Sequence, residues 1–564
     1  MMGTSELRRQ PVAVRSFFDA VGEASVPTGP FGRKTVTAEA AKTLLADSGI
    51  VVPGVVKDLL GRFDERTHSR LLDSVMQGSA NYERQHGFAP PATFIEHAVE
   101  NALRGSMPLA ELAHGVVRLD NATSSHHDQL SLQPAMAIVG IMAQFAEAIP
   151  FAAYLSADLK TNEARLAIMS NLANSDFGDY TAGSSLDGIA LGQNYMDSER
   201  VCVLSTNGGG GSALTYTVTQ KGTATAGGLA VSGSNVAMPL LRGRTALFVN
   251  GLPAGRETGS YGAGSNTIAG SATIASTSYA LSGTVNSDTG AISITSSPAL
   301  PAGVHVMALA YIDYEKAPTY APKIGIDVTI YSMFARASRG IVKTTMDAMT
   351  QMQSELSLDP RGQALMSTRL QYAAARHFRA LDKLKLVAAN LTDTWAYGYS
   401  SQIAQKSRAD IWMNLAPIVG GLSQKMANAN SNYGITTLYL TGELAAQARG
   451  LPTSIWEPSG VMNRPGIYRL GRLFGQYDCY YTPRGLTESG GGDVSQILCV
   501  GRATETARNP IVLADAVPAI FVPLALGDDM VQGDGFYTRG FTEVNPHLPS
   551  AQGAALISVT GIKS

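Results

Sequence analysis

Cysteine is almost missing from this chain. Cys202, Cys479 and Cys499 are the three in 564 residues, too few for a disulfide framework and without metal-ligand spacing. Charge is scarce as well: Asp, Glu, Lys and Arg together make up 16% of the residues, below the quarter usual in soluble domains. The formal net charge of −2 supplies no basic field to draw the chain onto nucleic acid or an anionic membrane. No run of about 18 uncharged apolar residues occurs, so no membrane span is expected. The opening MMGTSELRRQ has no apolar signal core. Together these absences predict a soluble product made in the cytosol.

Catalytic signatures are missing too. There is no GxxxxGK[ST] phosphate loop and no GxSxG elbow. Asn207-Gly-Gly-Gly-Gly-Ser212 is glycine-rich but has neither the lysine nor the strand–helix frame of a phosphate cradle, and reads as a linker. His126-His127 are adjacent, so the two rings point differently, and no third ligand stands at a helical offset. Asp528-Asp529 and Gly533-Asp534-Gly535 form a glycine-punctuated loop without the spacing and terminal Glu of a calcium loop. His377 falls on an apolar helical stripe and is expected to be a satisfied core histidine. The chain is therefore read as a non-enzyme with no cofactor and no metal.

What is abundant is glycine, 58 residues, with small polar residues. A low-charge chain rich in apolar and small side chains is most simply explained if much of its surface is buried against other subunits. Between Asn207 and Val306 lie 100 residues with six charges: Lys221, Arg242, Arg244, Arg256, Glu257 and Asp288. Within them Leu214, Tyr216 and Val218 alternate with threonines, and Ala246–Val249 runs into the turn pair Asn250-Gly251. A second hairpin is marked by Val285, Asp288-Thr-Gly290, Ile292 and Ile294. Val304–Tyr314 is expected to be the closing strand. This is the pattern of an all-β sandwich or barrel over 205–310, inserted into a host whose two flanks lie close together.

The host is read in five stretches. Residues 1–130 are helical and polar, with helices at Ala38–Ala46, Val55–Val75 and Pro91–Leu103 and a loop at Asn121–Gln129; they are expected to drape over other surfaces without a core of their own. Over 131–204 come a short helix (Pro134–Ala148), a strand (Ile149–Leu155), and a Gly/Asp-punctuated stretch with Phe177, Tyr180 and Leu186 that suits a protruding two-stranded loop. Over 311–391, Ile324, Ile326, Val328 and Ile330 alternate as a half-buried strand. A helix with Met346, Met349, Met352 and Leu356 on one face follows. A long helix then starts with Asp359 as N-cap and Pro360 at its first position, its buried stripe formed by Met366, Leu370, Ala373, His377, Leu381 and Leu384. Residues 392–535 are mixed, with strands at Thr436–Leu440, Gln496–Val500 and Ala519–Leu526. The last stretch, 536–564, ends in the strand Ala554–Ile562.

This order resembles the HK97-fold major capsid proteins of tailed bacteriophages, nearest to the contractile-tailed, T4-like branch whose members carry an insertion domain. Pro134–Leu155 looks like the family's helix-then-strand entry. Gly178-Asp-Tyr-Thr-Ala-Gly183 with Leu186-Asp-Gly188 is similar to its extended loop. Gly283-Thr-Val-Asn-Ser-Asp-Thr-Gly-Ala-Ile-Ser-Ile294, Pro301-Ala-Gly-Val304 and Tyr311-Ile-Asp-Tyr314 look like the end of the insertion. Arg336-Ala-Ser-Arg339 matches the lead into the spine helix, and Asn545-Pro546 precedes the final strand. Leu109-Ala-Glu111 fits the branch's propeptide cleavage pattern, although a retained arm is favoured.

The resemblance implies an α+β fold: an N-terminal arm (1–130), a peripheral domain with a spine helix (131–204 and 311–391), an extended loop, an axial domain (392–535), a strand returning to the peripheral domain (536–564) and the inserted all-β domain. It implies self-assembly into hexamers and pentamers of an icosahedral head enclosing double-stranded DNA, located in the virion and assembled in the host cytoplasm. The expected partners are further copies of the chain, then scaffold, portal and decoration or vertex proteins, with DNA held without sequence readout and no membrane. Phe177, Tyr180, Leu186, Arg336 and Arg339 are the candidate intersubunit residues. Two alternatives stand beside it. One is a glycan-binding adhesin whose Tyr216, Phe248, Tyr261 and Tyr279 could stack on sugars; the other is a non-viral, encapsulin-like shell.

Overall fold

Five helices open the chain: α1 (Thr4–Ala24), α2 (Ala38–Ala46), α3 (Gly54–Gly61), α4 (Glu65–His86) and α5 (Ala92–Gly105). The structure is a computed structural model. It describes residues 4–27, 34–47, 50–105, 137–204, 213–220, 236–258, 264–345, 360–489, 493–524 and 531–563, with Asp347, Gln351 and Gly491. The Thr37 hydroxyl accepts from Ala40 N to start α2, and Gly87 at φ 82° ends α4 in the left-handed conformation that glycine tolerates. Phe17, Leu59, Leu72, Phe94 and Val99 meet in one apolar core, joined by Ile141 and Phe145 from a helical stretch at 137–146. This corrects the expectation of an N-terminal region without its own core. Each helix contributes a few apolar residues, so no segment is apolar enough to announce the cluster that five helices make together.

The chain divides into two compact units, residues 1–168 with 330–564, and residues 169–329. After the short pair β1 (Val26–Pro27) and β2 (Lys34–Thr35) come β3 (Ala152–Ser156) and β4 (Glu163–Ala173). The second unit holds β5 (Glu199–Val203), β6 (Ala213–Thr217), β7 (Ala246–Val249), β8 (Leu252–Glu257), β9 (Ser265–Ile274), β10 (Thr277–Asn286), β11 (Ala291–Ser297) and β12 (Val306–Tyr311). They form one sheet in the order β5-β12-β7-β8-β9-β10-β11-β6, antiparallel at every pairing.

Period-two alternation puts Ile268, Leu281, Val285, Ile292 and Ile294 on one buried face. Asn250 and Gly251 turn β7 into β8 at φ 49° and 80°, the two positive values a tight hairpin requires. The unit is wider than 205–310: it takes in β5 and the loop before it.

β13 (Ile324–Phe334) leads back, hydrogen-bonded to β4. The bonds Asn174 N to Lys323 O and Ala335 N to Asn162 O, each 2.8 Å, flank the two ends of that ladder. Next come β14 (Arg336–Thr345), α6 (Pro360–Ala388), β15 (Thr392–Ala396), α7 (Leu415–Asn430), β16 (Ile435–Leu440), α8 (Gly442–Arg449), β17 (Trp456–Pro458), β18 (Tyr468–Leu473), β19 (Tyr477–Tyr481), β20 (Glu488–Ser489), β21 (Val494–Gly501), β22 (Ile511–Pro523), β23 (Val531–Val544) and β24 (Ala554–Thr560).

One sheet runs β14-β23-β22-β3; the other runs β15-β24-β21-β16-β19-β18-β17, with β20 on β21. The strand pairing differs from the expected partition in two places. β22, placed in the axial stretch, pairs with β3 and β23. β24 does not join that sheet but lies between β15 and β21. The reason is burial: Ala554, Ala555, Ile557 and Val559 are all enclosed, the mark of a central strand covered on both faces.

Helix α6 begins at Pro360, as the sequence predicts, and its 29 residues span about 44 Å. The segment carrying Met346, Met349, Met352 and Leu356, and the cap Asp359, lie outside the described residues. Leu381 and Leu384 are buried, but Met366 and Leu370 are 67% and 61% exposed. The expected continuous stripe is thus covered only in its C-terminal half.

Candidate intersubunit surfaces

Chemistry first: among the described residues no group of three His, Cys, Asp or Glu side chains is placed to hold a metal. The pair His126-His127, the triplet Leu109-Ala-Glu111, the Asn207–Ser212 linker and Asp528-Asp529 fall outside the described residues. Asp534 is buried within β23 and not in a loop. All three cysteines are buried, and burial pushes the Cys202 thiol up to about 12. His377 is half-buried, its Nε2 3.2 Å from the Tyr439 hydroxyl, and burial lowers its pKa to about 4. The sugar-stacking candidates Tyr216, Phe248 and Tyr279 stand on β6, β7 and β10, which are not neighbours in the sheet; Tyr261 lies outside the described residues.

The loop at 174–196 is not a protruding extension. Phe177 and Tyr180 are buried in the core of their own unit, and Leu186 packs partly against it. The Arg200 guanidinium lies 4.7 Å from the Phe177 ring centre, and Tyr195 meets Tyr180 edge-on at 5.2 Å. Gly178, at φ 57°, allows the close approach: a Cβ there would sit 2.0 Å from Asn194 O. Asp179 N donates to Asn194 O at 2.9 Å, and Asn171 donates twice to the Asp187 carboxylate, at 2.9 and 2.8 Å. Glycine and aspartate punctuation produced a loop folded back on itself, because its aromatic side chains have Arg200 and Tyr195 to pack against. Phe177 and Tyr180 are therefore withdrawn as contacts to a neighbour.

The exposed apolar surface lies instead on β13. Ile324, Ile326, Val328, Ile330 and Phe334, all even-numbered and so on one face of the strand, are each exposed by 46% or more. The sequence expectation of a half-buried strand is corrected: among the described residues its only ladder partner is β4, and none of them covers this face. Alternation alone shows that a face is apolar, not what covers it.

Arg336 and Arg339 are on β14, the edge strand of its sheet. Arg336 reaches Glu543 at 3.0 Å with its side chain 79% exposed, and Arg339 lies over Tyr537, 5.8 Å from the ring centre. Both are positioned at the surface.

Sequence reasoning missed a buried polar junction in the first unit. Asp515 on β22 accepts from Arg376 of α6 at 2.9 Å and lies 3.3 Å from His97 Nε2 of α5, and Asn101 Nδ2 is 2.9 Å from the same ring nitrogen. A register shift after Asp515 re-aims the strand, and opposite it Gly540 has no Cβ, which would stand 2.3 Å from Asp515 Oδ1. Burial alone would raise the Asp515 carboxyl, but Arg376 and His97 hold it well below the usual carboxylate range. The junction ties the N-terminal helices to the long helix and to the sheet. Nothing in the local sequence marks it, since the three elements that supply it lie more than 100 residues apart along the chain.

No family model and no curated protein matches the chain. Solved structures to which it is similar include phage capsids and an encapsulin. The capsid of the jumbo bacteriophage PhiKZ matches over 73% of this chain and 92% of its own, at 9% identity and a TM-score of 0.39. The encapsulin SrpI of Synechococcus elongatus matches over 42% of this chain and 79% of its own, at 10% identity and a TM-score of 0.29. The capsid of the Myoviridae phage XM1 matches over 42% of this chain and 78% of its own, at 8% identity and a TM-score of 0.28.

Proposed function

We propose that this chain is a major capsid protein of the HK97 fold, which assembles into hexamers and pentamers of an icosahedral phage head around double-stranded DNA. The observation that carries the reading is a pair of uncovered apolar surfaces in one chain: the row Ile324, Ile326, Val328, Ile330 and Phe334 on β13, and Met366 with Leu370 on the N-terminal half of α6. Fully burying such a side chain contributes on the order of 1.5–3 kcal/mol, and monomers rarely leave a contiguous row of them in water. The β4–β13 ladder, in place of the stretch 178–188, serves as the extended element: two strands of one copy laid over the long helix of the next. Such a contact joins two different surfaces, so repeated around an axis it closes a ring.

The net charge of −2 suits DNA held without sequence readout. Scaffold, portal and decoration proteins are expected partners, and the virion the expected location. A negative-stain image of the purified product tests the reading: closed shells or rings of subunits support it, and monodisperse monomers at high concentration overturn it.

A further inference from the structure

The second unit contains a cleft of about 1100 Å³. Its floor is apolar and built by register: Leu309 stands opposite Val201, and Met307 opposite Phe248, across β5, β12 and β7. Its rim is acidic. Asp179, Asp187, Asp197 and Glu199 line it, and none of the lining residues is Lys, Arg or His. Arg200, buried alongside, interacts with Asp179 and Asp197, which still leaves the rim with more carboxylates than cations. Met196 and Leu191 stand at the edge, 64% and 75% exposed. An apolar floor inside a carboxylate rim selects an apolar side chain flanked by cations.

The chain presents that pattern on β14. From Ala337 onward its odd-numbered side chains are the exposed ones, so Arg339, Ile341 and Lys343 follow one another along one face, about 6.7 Å apart. Ile341 is 66% exposed. Arg339 and Lys343 make no ion pair among the described residues. β14 is an edge strand with nothing paired beyond it among the described residues, which leaves it accessible to another molecule.

We propose that Arg339–Ile341–Lys343 of one copy seats in this cleft of a second copy, Ile341 on the apolar floor and the two cations against the carboxylate rim. The contact rests on the self-assembly reading above, and adds to it a second, charge-selected joint distinct from the β13 row. It is heterologous, groove against strand, and its electrostatic part weakens as salt screens the rim.

The test is covalent capture in assembled particles. Cys202, Cys479 and Cys499 are buried, so a Met196→Cys/Ile341→Cys protein offers two accessible thiols to a short bismaleimide. The expected result is a ladder of covalent multimers from particles and none from dilute unassembled chains. Particles without a ladder, a link formed only within single chains, or capture of a different protein at residue 196 would each overturn this joint while leaving self-assembly standing; if even the wild-type chain forms no particles, both readings fall.

Charge reversal covers the case in which the cysteine pair itself blocks assembly. Glu199→Lys alone and Arg339→Glu/Lys343→Glu alone should each lower particle yield at least tenfold at low salt, and the three together should restore it to within about threefold. Single variants that assemble like wild type, or a combination no better than the weaker parent, overturn the proposal.

Discussion

Arg376 donates to Asp515 Oδ2 at 2.9 Å with side-chain exposures of only 11% and 3%, so the long helix is held to the sheet by an ion pair closed off from water. Breaking such a pair from one side leaves a buried charge uncompensated. Arg376→Met should lower unfolding free energy by about 3–5 kcal/mol, read from urea denaturation. Because the folded-state pKa of Asp515 is depressed, its contribution is fully present above the unfolded value of about 3.9 and is lost progressively as pH falls from there through the folded value. Asp515→Asn should therefore cost most at pH 7 and steadily less as pH is lowered from about 4. A pH-independent cost would show that the pair contributes through packing alone.

Two histidines set a second acid limit at higher pH. Burial lowers His86 to about 3 and His377 to about 4, so the unfolded chain binds protons more readily than the folded one below about pH 6.5. Each should withdraw stability as pH falls through that range, roughly 2 kcal/mol at pH 5 by the linkage relation. A His86→Phe/His377→Gln protein should lose less of its melting temperature between pH 7 and pH 5 than wild type. Parallel curves for the two proteins would contradict the assignment.

The apolar row and the buried stripe should respond in opposite ways to a charge. Ile326→Asp/Val328→Asp changes side chains that are exposed in the single chain, so its unfolding free energy should stay within about 0.5 kcal/mol of wild type while particles fail to form. Leu381→Asp places a carboxylate in the core under α6 and should abolish soluble folded protein. Sedimentation together with thermal melting separates the two; normal particles from the β13 variant would remove the main support for the assembly reading.

The N-terminal helices should behave as a packed body. Phe94 is 1% exposed and meets Phe145 edge-on at 5.1 Å, so Phe94→Ala should cost about 3–5 kcal/mol by urea titration of the full chain. A cost below 1 kcal/mol would return this region to the draped-arm description.

The sequence was most legible where local chemistry decides conformation. Asn250-Gly251 and Asp288-Thr-Gly290 marked hairpins that form, Pro360 opens the long helix, and Thr436–Leu440 and Gln496–Val500 are strands. It was least legible where a partner far along the chain decides. Phe177 looked like an unpartnered aromatic until Arg200 and Tyr195 came beside it. The β13 row looked half-buried because alternation carries no information about the layer above it. The Asp515 junction joins residues from α5, α6 and β22, and no window of sequence contains all three. For the candidate contacts, only Arg336 and Arg339 stand on a surface as anticipated, and their involvement with a neighbour is a proposal.

β24 fills the slot between β15 and β21, although it comes later in the chain than every other strand of that sheet. A ribosome that has delivered residues as far as β21 has produced a sheet whose outermost strand, β15, is still separated from the rest by an open slot. Only when residues 554–560 emerge can β15 be joined to the other strands. A chain cut before residue 554 therefore lacks a finished sheet, because β15 then has no strand through which to reach β21.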